Sequence, residues 1–181
     1  MINMKDPSSK ADLSPPVDII HGIGIHVVWK KLSTQHKQAL AGFWLKSGAI
    51  QDPREAARRT SEVLCVAIDS SGKIAGVSTV YLAPFGQSKL LYWHYRTFIR
   101  KDCRVPGLAV RLLRSSLTYL NQVAATPDNL SNGLVILTEN RRLKHPGWHR
   151  ILAREGMGYL GLTTSGMDVW KYDFASHNSL A

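Results

Sequence analysis

Arg104-Val105-Pro106-Gly107-Leu108-Ala109 joins an apolar run, Leu90 to Ile99, to a stretch in which Ala109, Leu112, Leu113, Leu117 and Leu120 recur at helical spacing. Proline is tolerated where a helix begins, because the first amides of a helix have no internal acceptor. Gly107 therefore reads as the first turn of a helix that follows a strand. Unpaired amides at that end, together with the positive end of the helix dipole, make an anion site, and a glycine lets a ligand approach the backbone closely.

Outward from this junction the chain alternates apolar runs with turn signals. His26 to Leu32 is a short strand candidate, and Ser33 can cap a helix that turns Leu40, Phe43, Trp44 and Leu45 inward. Asp52-Pro53 opens a second, basic helix through Thr60. Val63 to Ile68 and Ile74 to Tyr81 are β-rich and flank Asp69-Ser70-Ser71-Gly72-Lys73, a hairpin loop. After the helix from about Pro106 to Val123 come a buried strand, Leu134 to Thr138, and a helix around Trp148 to Glu155 that Gly156 and Gly158 stop. Tyr159 to Thr163 and Met167 to Phe174 close the chain as a strand pair.

The order strand, two helices, three strands, helix, strand, helix, two strands, with Arg104-x-x-Gly107-x-Ala109 at its centre, resembles the GCN5-related N-acetyltransferase superfamily and its acyl-CoA signature Arg/Gln-x-x-Gly-x-Gly/Ala. Ile99, five positions before Arg104, matches the family's hydrophobic residue at the end of its fourth strand. The resemblance implies an α/β fold with a mixed sheet whose central strands splay apart. It divides the chain into a flexible leader (1–24), an acyltransferase domain (25–174) and a short tail (175–181).

It also implies an acyl-CoA-dependent N-acyltransferase that moves acetyl from acetyl-CoA, or another acyl group, to an amine by direct attack. Phe98 and Ile99 would line the pantetheine arm. Amides of Val105, Gly107, Leu108 and Ala109 would hold the pyrophosphate, Arg104 would neutralise it, and Asn140, past the following strand, would approach the cofactor or simply end that strand. Two departures stand out. Pro106 removes an amide from the cradle, and the last helix carries Leu152 where many members place a tyrosine as general acid.

Amine acylation needs a deprotonated amine and a stabilised leaving thiolate, so titratable groups near the cleft matter. Tyr95 shares the strand face of Thr97 and Ile99 and offers a hydroxyl, or packs as a sheet tyrosine. His94 has the right pKa range for a base but points to the opposite face. His149 lies about one helical turn before Leu152 and could reach the thiol side, or be a solvated helix residue. No metal-ligand spacing is present. Two cysteines are too few for a disulfide framework; Cys65 reads as a buried hydrophobe, and Cys103, beside Arg104, is a candidate reactive thiol.

With 181 residues and 44% hydrophobic content, the chain can bury one sizeable core. It has no run long enough to span a bilayer and no secretion-type leader, so a cytoplasmic location without membrane insertion is expected. The net charge of +10, from 23 Lys and Arg against 13 Asp and Glu, favours an anionic partner. Basic residues gather in Arg54, Arg58 and Arg59, in Arg96, Arg100, Lys101 and Arg104, and in Arg141, Arg142, Lys144, Arg150 and Arg154 around Trp148. The middle group fits the cofactor's phosphates. The outer groups fit a nucleic acid, an acidic carrier protein that delivers the acyl group, or a solvated surface. A module that keeps the fold without catalysis and binds nucleic acid or protein is the alternative from another class; a dimer is compatible with any of these readings.

Overall fold

In a computed structural model that describes residues 13–87, 89–138 and 146–174, the chain divides into two compact units, 1–79 with 97–116 and 80–96 with 117–181. Two strands and a helix run through both. Together the strands form an eight-stranded mixed sheet in the hydrogen-bonded order β1-β2-β3-β4-β5-β6-β8-β7.

The first unit starts with β1 (Asp18–Ile20) and β2 (Ile23–Val27), an antiparallel pair whose two connecting residues, His21 and Gly22, both have positive φ (48° and 75°). That is what a tight two-residue hairpin demands. The expectation that residues 1–24 lie outside the fold therefore does not hold for this strand. Two prolines and a strand of only three residues erase the alternation that would have announced it.

Helix α1 (Thr34–Lys46) is capped by Ser33, whose Oγ accepts from the His36 amide, and α2 (Pro53–Arg59) by Asp52, which accepts from the Arg54 amide. Leu40 and Trp44 of α1 and Ala56 of α2 bury against Val63, Val66 and Ile68 of β3 (Val63–Ile68) and Val77 of β4 (Ile74–Phe85). The β3–β4 loop closes on Asp69, which accepts from the Ser71 and Lys73 amides, as the turn residues demand. β5 (Leu90–Ile99) ends in this unit, where Phe98 meets Phe43 edge-on, and is followed by α3 (Leu108–Ala124). Under α3, Ser116 bonds Ser78 at 3.0 Å and its own Leu112 carbonyl at 2.7 Å, with Cys65 at 3.5 Å, a buried polar knot that ties helix to sheet.

The second unit carries the other ends of β4, β5 and α3, then β6 (Gly133–Thr138), α4 (Pro146–Arg154), β7 (Gly158–Leu162) and β8 (Asp168–Asp173). β8 pairs antiparallel with β6 from Gly133↔Asp173 to Thr138↔Asp168 and with β7 on its other side. A Cβ on Gly133 would lie 1.9 Å from the Tyr172 carbonyl oxygen, so only glycine lets these strands approach as they do. β5 and β6 run parallel and share only two register pairs, Trp93↔Leu134 and His94↔Val135, although β5 continues to Ile99 and β6 to Thr138. This is the splay that the resemblance implies. Among the described residues no helix is long and apolar enough to cross a membrane.

Candidate functional site

The junction between β5 and α3 is held by one arginine. Arg100 donates to the Ile74 carbonyl and to Asp69, both at 2.8 Å, to Asp102 at 2.7 Å and to the Cys103 sulfur at 2.9 Å. Burial pushes the Asp69 carboxyl up, but hydrogen bonds from Ser71, Arg100 and the loop amides bring it down to about 2. Cys103 is 8% exposed, and its thiol is pushed up by burial; Arg100 pulls the other way, against Asp102 and Asp69. A buried, protonated thiol is a poor nucleophile, so the reactive role entertained for Cys103 is not supported.

Gly107 has φ +86° and precedes α3, which begins at Leu108. The reading of Gly107 as the first helical turn is thus corrected: it is the left-handed residue that turns the chain into the helix. The Val105 amide donates to the Cys103 carbonyl at 2.8 Å and is spent within the loop, which removes Val105 from the expected cradle. Leu108 donates weakly, at 3.4 Å, to the Val105 carbonyl. The amides of Gly107, Ala109 and Val110 have no backbone acceptor among the described residues, and the first turn contains no acidic side chain. Exposed Arg104 anchors its Nε to the Ile99 carbonyl at 3.3 Å, which leaves its two outer nitrogens to meet an anion. Three open amides, one guanidinium and a first turn without an acidic side chain suit a pyrophosphate.

Gly107 is also constrained from the protein side, since a Cβ there would lie 3.0 Å from Ile20 Cδ1. β1 is pinned to α3 next to it by Arg111, which reaches both Asp18 oxygens at 2.7 and 3.0 Å. Neither contact was legible in the sequence, because β1 itself was not. Ile99 is half-buried with its carbonyl on Arg104, while the Phe98 ring packs on Phe43, so Phe98 can offer a ligand only its backbone.

On the stretch of β5 in the second unit, side chains alternate as expected. Tyr95 is 4% exposed, a packed sheet tyrosine. His94 is half-buried, stacked on Tyr81 with ring centroids 4.9 Å apart and flanked edge-on by Phe85 at 6.3 Å. Burial pushes its pKa down, hydrogen bonds to the Pro84 and Ala83 backbone oppose this, and the Arg96 charge reinforces it. Its Nε2 is buried without a partner among the described residues. A neutral imidazole bonded to a backbone carbonyl through one nitrogen keeps a lone pair on the other.

Arg96 leaves the same face and lies over Tyr81, 4.4 Å from its centroid. This grouping of Tyr81, His94 and Arg96 went unread in the sequence, although the spacing of residues 94 and 96 already put both on one face.

The remaining candidates scatter. His149 on α4 packs against Tyr159 at 4.9 Å and Trp170 at 4.7 Å, and Leu152 is buried. Asn140, with Arg141, Arg142 and Lys144, lies outside the described residues. Part of the positive charge is already paired inside the protein. Glu55 binds Arg58 and Arg59, Arg58 also binds Glu62, and Arg100 and Arg111 are held as described. Side-chain bonds from the two arginines hold the Glu55 carboxyl at about 2. The α2 group therefore offers an anionic partner far less than its composition implies.

A mixed sheet that parts at its two central parallel strands, followed by an open helix N-terminus, is the fold of the GCN5-related N-acetyltransferases. No family model matches the chain, and no curated protein matches its sequence. Among solved structures it is similar to a phosphinothricin acetyltransferase from Sinorhizobium meliloti in complex with acetyl-CoA (TM-score 0.60, 11% identity, 84% of this chain and 88% of that one). It is similar also to the ribosomal-protein-S5-alanine acetyltransferase of Vibrio fischeri (0.57, 10%, 86% and 95%) and to a GNAT family N-acetyltransferase from Escherichia coli in complex with CoA (0.56, 18%, 88% and 86%).

Proposed function

We propose that the protein is an acyl-CoA-dependent N-acyltransferase that uses acetyl-CoA. The observation that carries this reading is the set of open amides at Gly107, Ala109 and Val110 beside Arg104, in a fold whose solved relatives include acetyltransferases with acetyl-CoA or CoA bound. Gly107, Ala109, Val110 and Arg104 hold the pyrophosphate. The edge of β5 beyond His94, which has no register pair with β6, offers backbone groups to the pantetheine arm and an amide to the thioester oxygen. Ile99 flanks the arm.

Acyl-CoA, when bound, supplies an activated carbonyl carbon that the acceptor nitrogen attacks as the thiolate leaves. The proton the amine gives up passes to water. The departing thiolate needs one proton. Leu152 has no hydroxyl to deliver it, so water carries it across. Tyr95, too buried to meet the amine, holds the strand.

Calorimetric titration of the full chain with acetyl-CoA and with CoA at moderate salt tests this. Saturable binding is expected, weakened about tenfold in Arg104→Ala by the loss of a charge-assisted contact worth roughly 1.5 kcal/mol. Absence of saturable binding refutes it.

A further inference from the structure

β7, the last strand in the sheet order, pairs with β8 on one side and with no other strand among the described residues. Its side chains are apolar and open: Tyr159, Leu160 and Leu162 are 42, 54 and 59% exposed. Thr163 donates to the Met167 carbonyl at 2.8 Å, so alternation along the ladder turns the N–H and C=O of neighbouring Leu162 outward. Soluble proteins guard such edges with lysine, proline or an inward charge. The stretch from Gly156 to Met167 contains none of these, and its one guard is the bulge between Tyr159 and Gly161. The sheet's other edge strand, β1, is three residues long, follows Pro15 and Pro16 and carries Asp18.

We propose that β7 pairs antiparallel with β7 of a second copy of this chain, joining two sheets edge to edge. The pairing is independent of what the cofactor site binds. Charge selects the occupant: copies with a net charge of +10 repel one another, so they meet closely only where the surface is free of charge, as β7 and the turn after it are. A nucleic acid or an acidic protein finds no cation on this strand.

Symmetry favours the same occupant. Two identical antiparallel strands are related by a twofold axis, so one edge complements itself and the assembly closes at two. The edge is also held in place. The Tyr159 hydroxyl donates to Asp168 at 2.8 Å and its ring packs on His149 and Trp170, each at 4.9 Å, so little ordering remains to be done on pairing. A strand of five residues covers less than the roughly 800 Å² per partner of a standard interface, so the dimer is weak and reversible.

Sedimentation velocity on the full chain, from micromolar to near-millimolar concentration and at low and high salt, tests this. Monomer gives way to dimer as concentration rises, and does so more readily at high salt, which screens the repulsion. Leu160→Lys and Leu162→Lys, at exposed positions that the fold tolerates, set like charges face to face and weaken association about tenfold or more. Ile19→Lys, at an exposed position of β1, leaves it unchanged. Leu160, the middle residue of β7, lies beside the axis, so Leu160→Cys yields a disulfide-linked dimer on mild oxidation and Ile19→Cys does not.

A chain that stays monomeric at every concentration overturns the proposal, as does association that survives both lysine variants or falls as salt rises. So does a β7 whose amides gain protection from hydrogen exchange only when an extended peptide is added, which assigns the edge to a different partner.

Discussion

Replacing Gly107 by alanine separates what the residue does for the fold from what it does for a ligand. At φ +86° an L-residue costs about 1–2 kcal/mol, and the shorter list of unfolded conformations returns about 0.4–1 kcal/mol of that. The new methyl meets Ile20 Cδ1 at 3.0 Å, the far end of a flexible side chain, whose displacement from its rotamer adds about 0.5–1.5 kcal/mol. The sum is a loss of about 0.5–3 kcal/mol, or a fall in Tm of roughly 1–12 °C for a chain of this size. Urea unfolding with Gly107→Ala, Ile20→Ala and the double variant closes a thermodynamic cycle, and the smaller Ile20 side chain should recover the contact part of the penalty but not the backbone part. An unchanged midpoint for Gly107→Ala would show that the residue is not left-handed and would dismantle the cradle geometry. Acetyl-CoA affinity, measured on the same variants, should fall with Gly107→Ala and stay down when Ile20→Ala restores stability.

Gly133→Ala places a methyl 1.9 Å from a backbone oxygen that cannot move without its strand, so a loss of about 3 kcal/mol or more is expected in chemical unfolding; a loss under 1 kcal/mol would mean that β6 and β8 are not paired as described. Desolvation holds the His94 pKa below its ordinary value of 6.5, so the unfolded chain binds a proton that the folded protein refuses. Stability is therefore full above about pH 6.5 and declines as pH falls towards the depressed folded value. His94→Gln should flatten that decline, and an identical slope in the variant would contradict the assignment.

Legibility in the sequence tracked the strength of local signals. The leucines of α3 repeat every three or four residues over 17 residues and announced a long helix, and the turn chemistry around Asp69 announced a hairpin. Gly107 was assigned one residue too far into its helix, since composition cannot reveal the sign of φ and Pro106 pulled the expected start forward. β1 escaped because a three-residue strand shows no period, and with it went Asp18 and Ile20, the partners of Arg111 and Gly107. On β5, period-2 alternation correctly separated Tyr95 from His94. What it could not supply is depth: Tyr95 sits on the more tightly covered face, whereas His94 faces Tyr81, a partner from another strand. Formal charge likewise cannot show which arginines already face a glutamate, as Arg58 and Arg59 do.

The two cysteines lie at different depths of the same unit. Cys65, fully enclosed and linked to Ser116, becomes available to a thiol reagent only when α3 leaves the sheet, an event close to global unfolding. Cys103, in the turn that Arg100 braces, needs only that turn to open. Their labelling rates in one sample are therefore two clocks, one set by the whole first unit and one by the turn that presents Gly107 and Arg104. A ligand seated on those amides slows the second clock more than the first, so the native thiols report occupancy without any introduced probe.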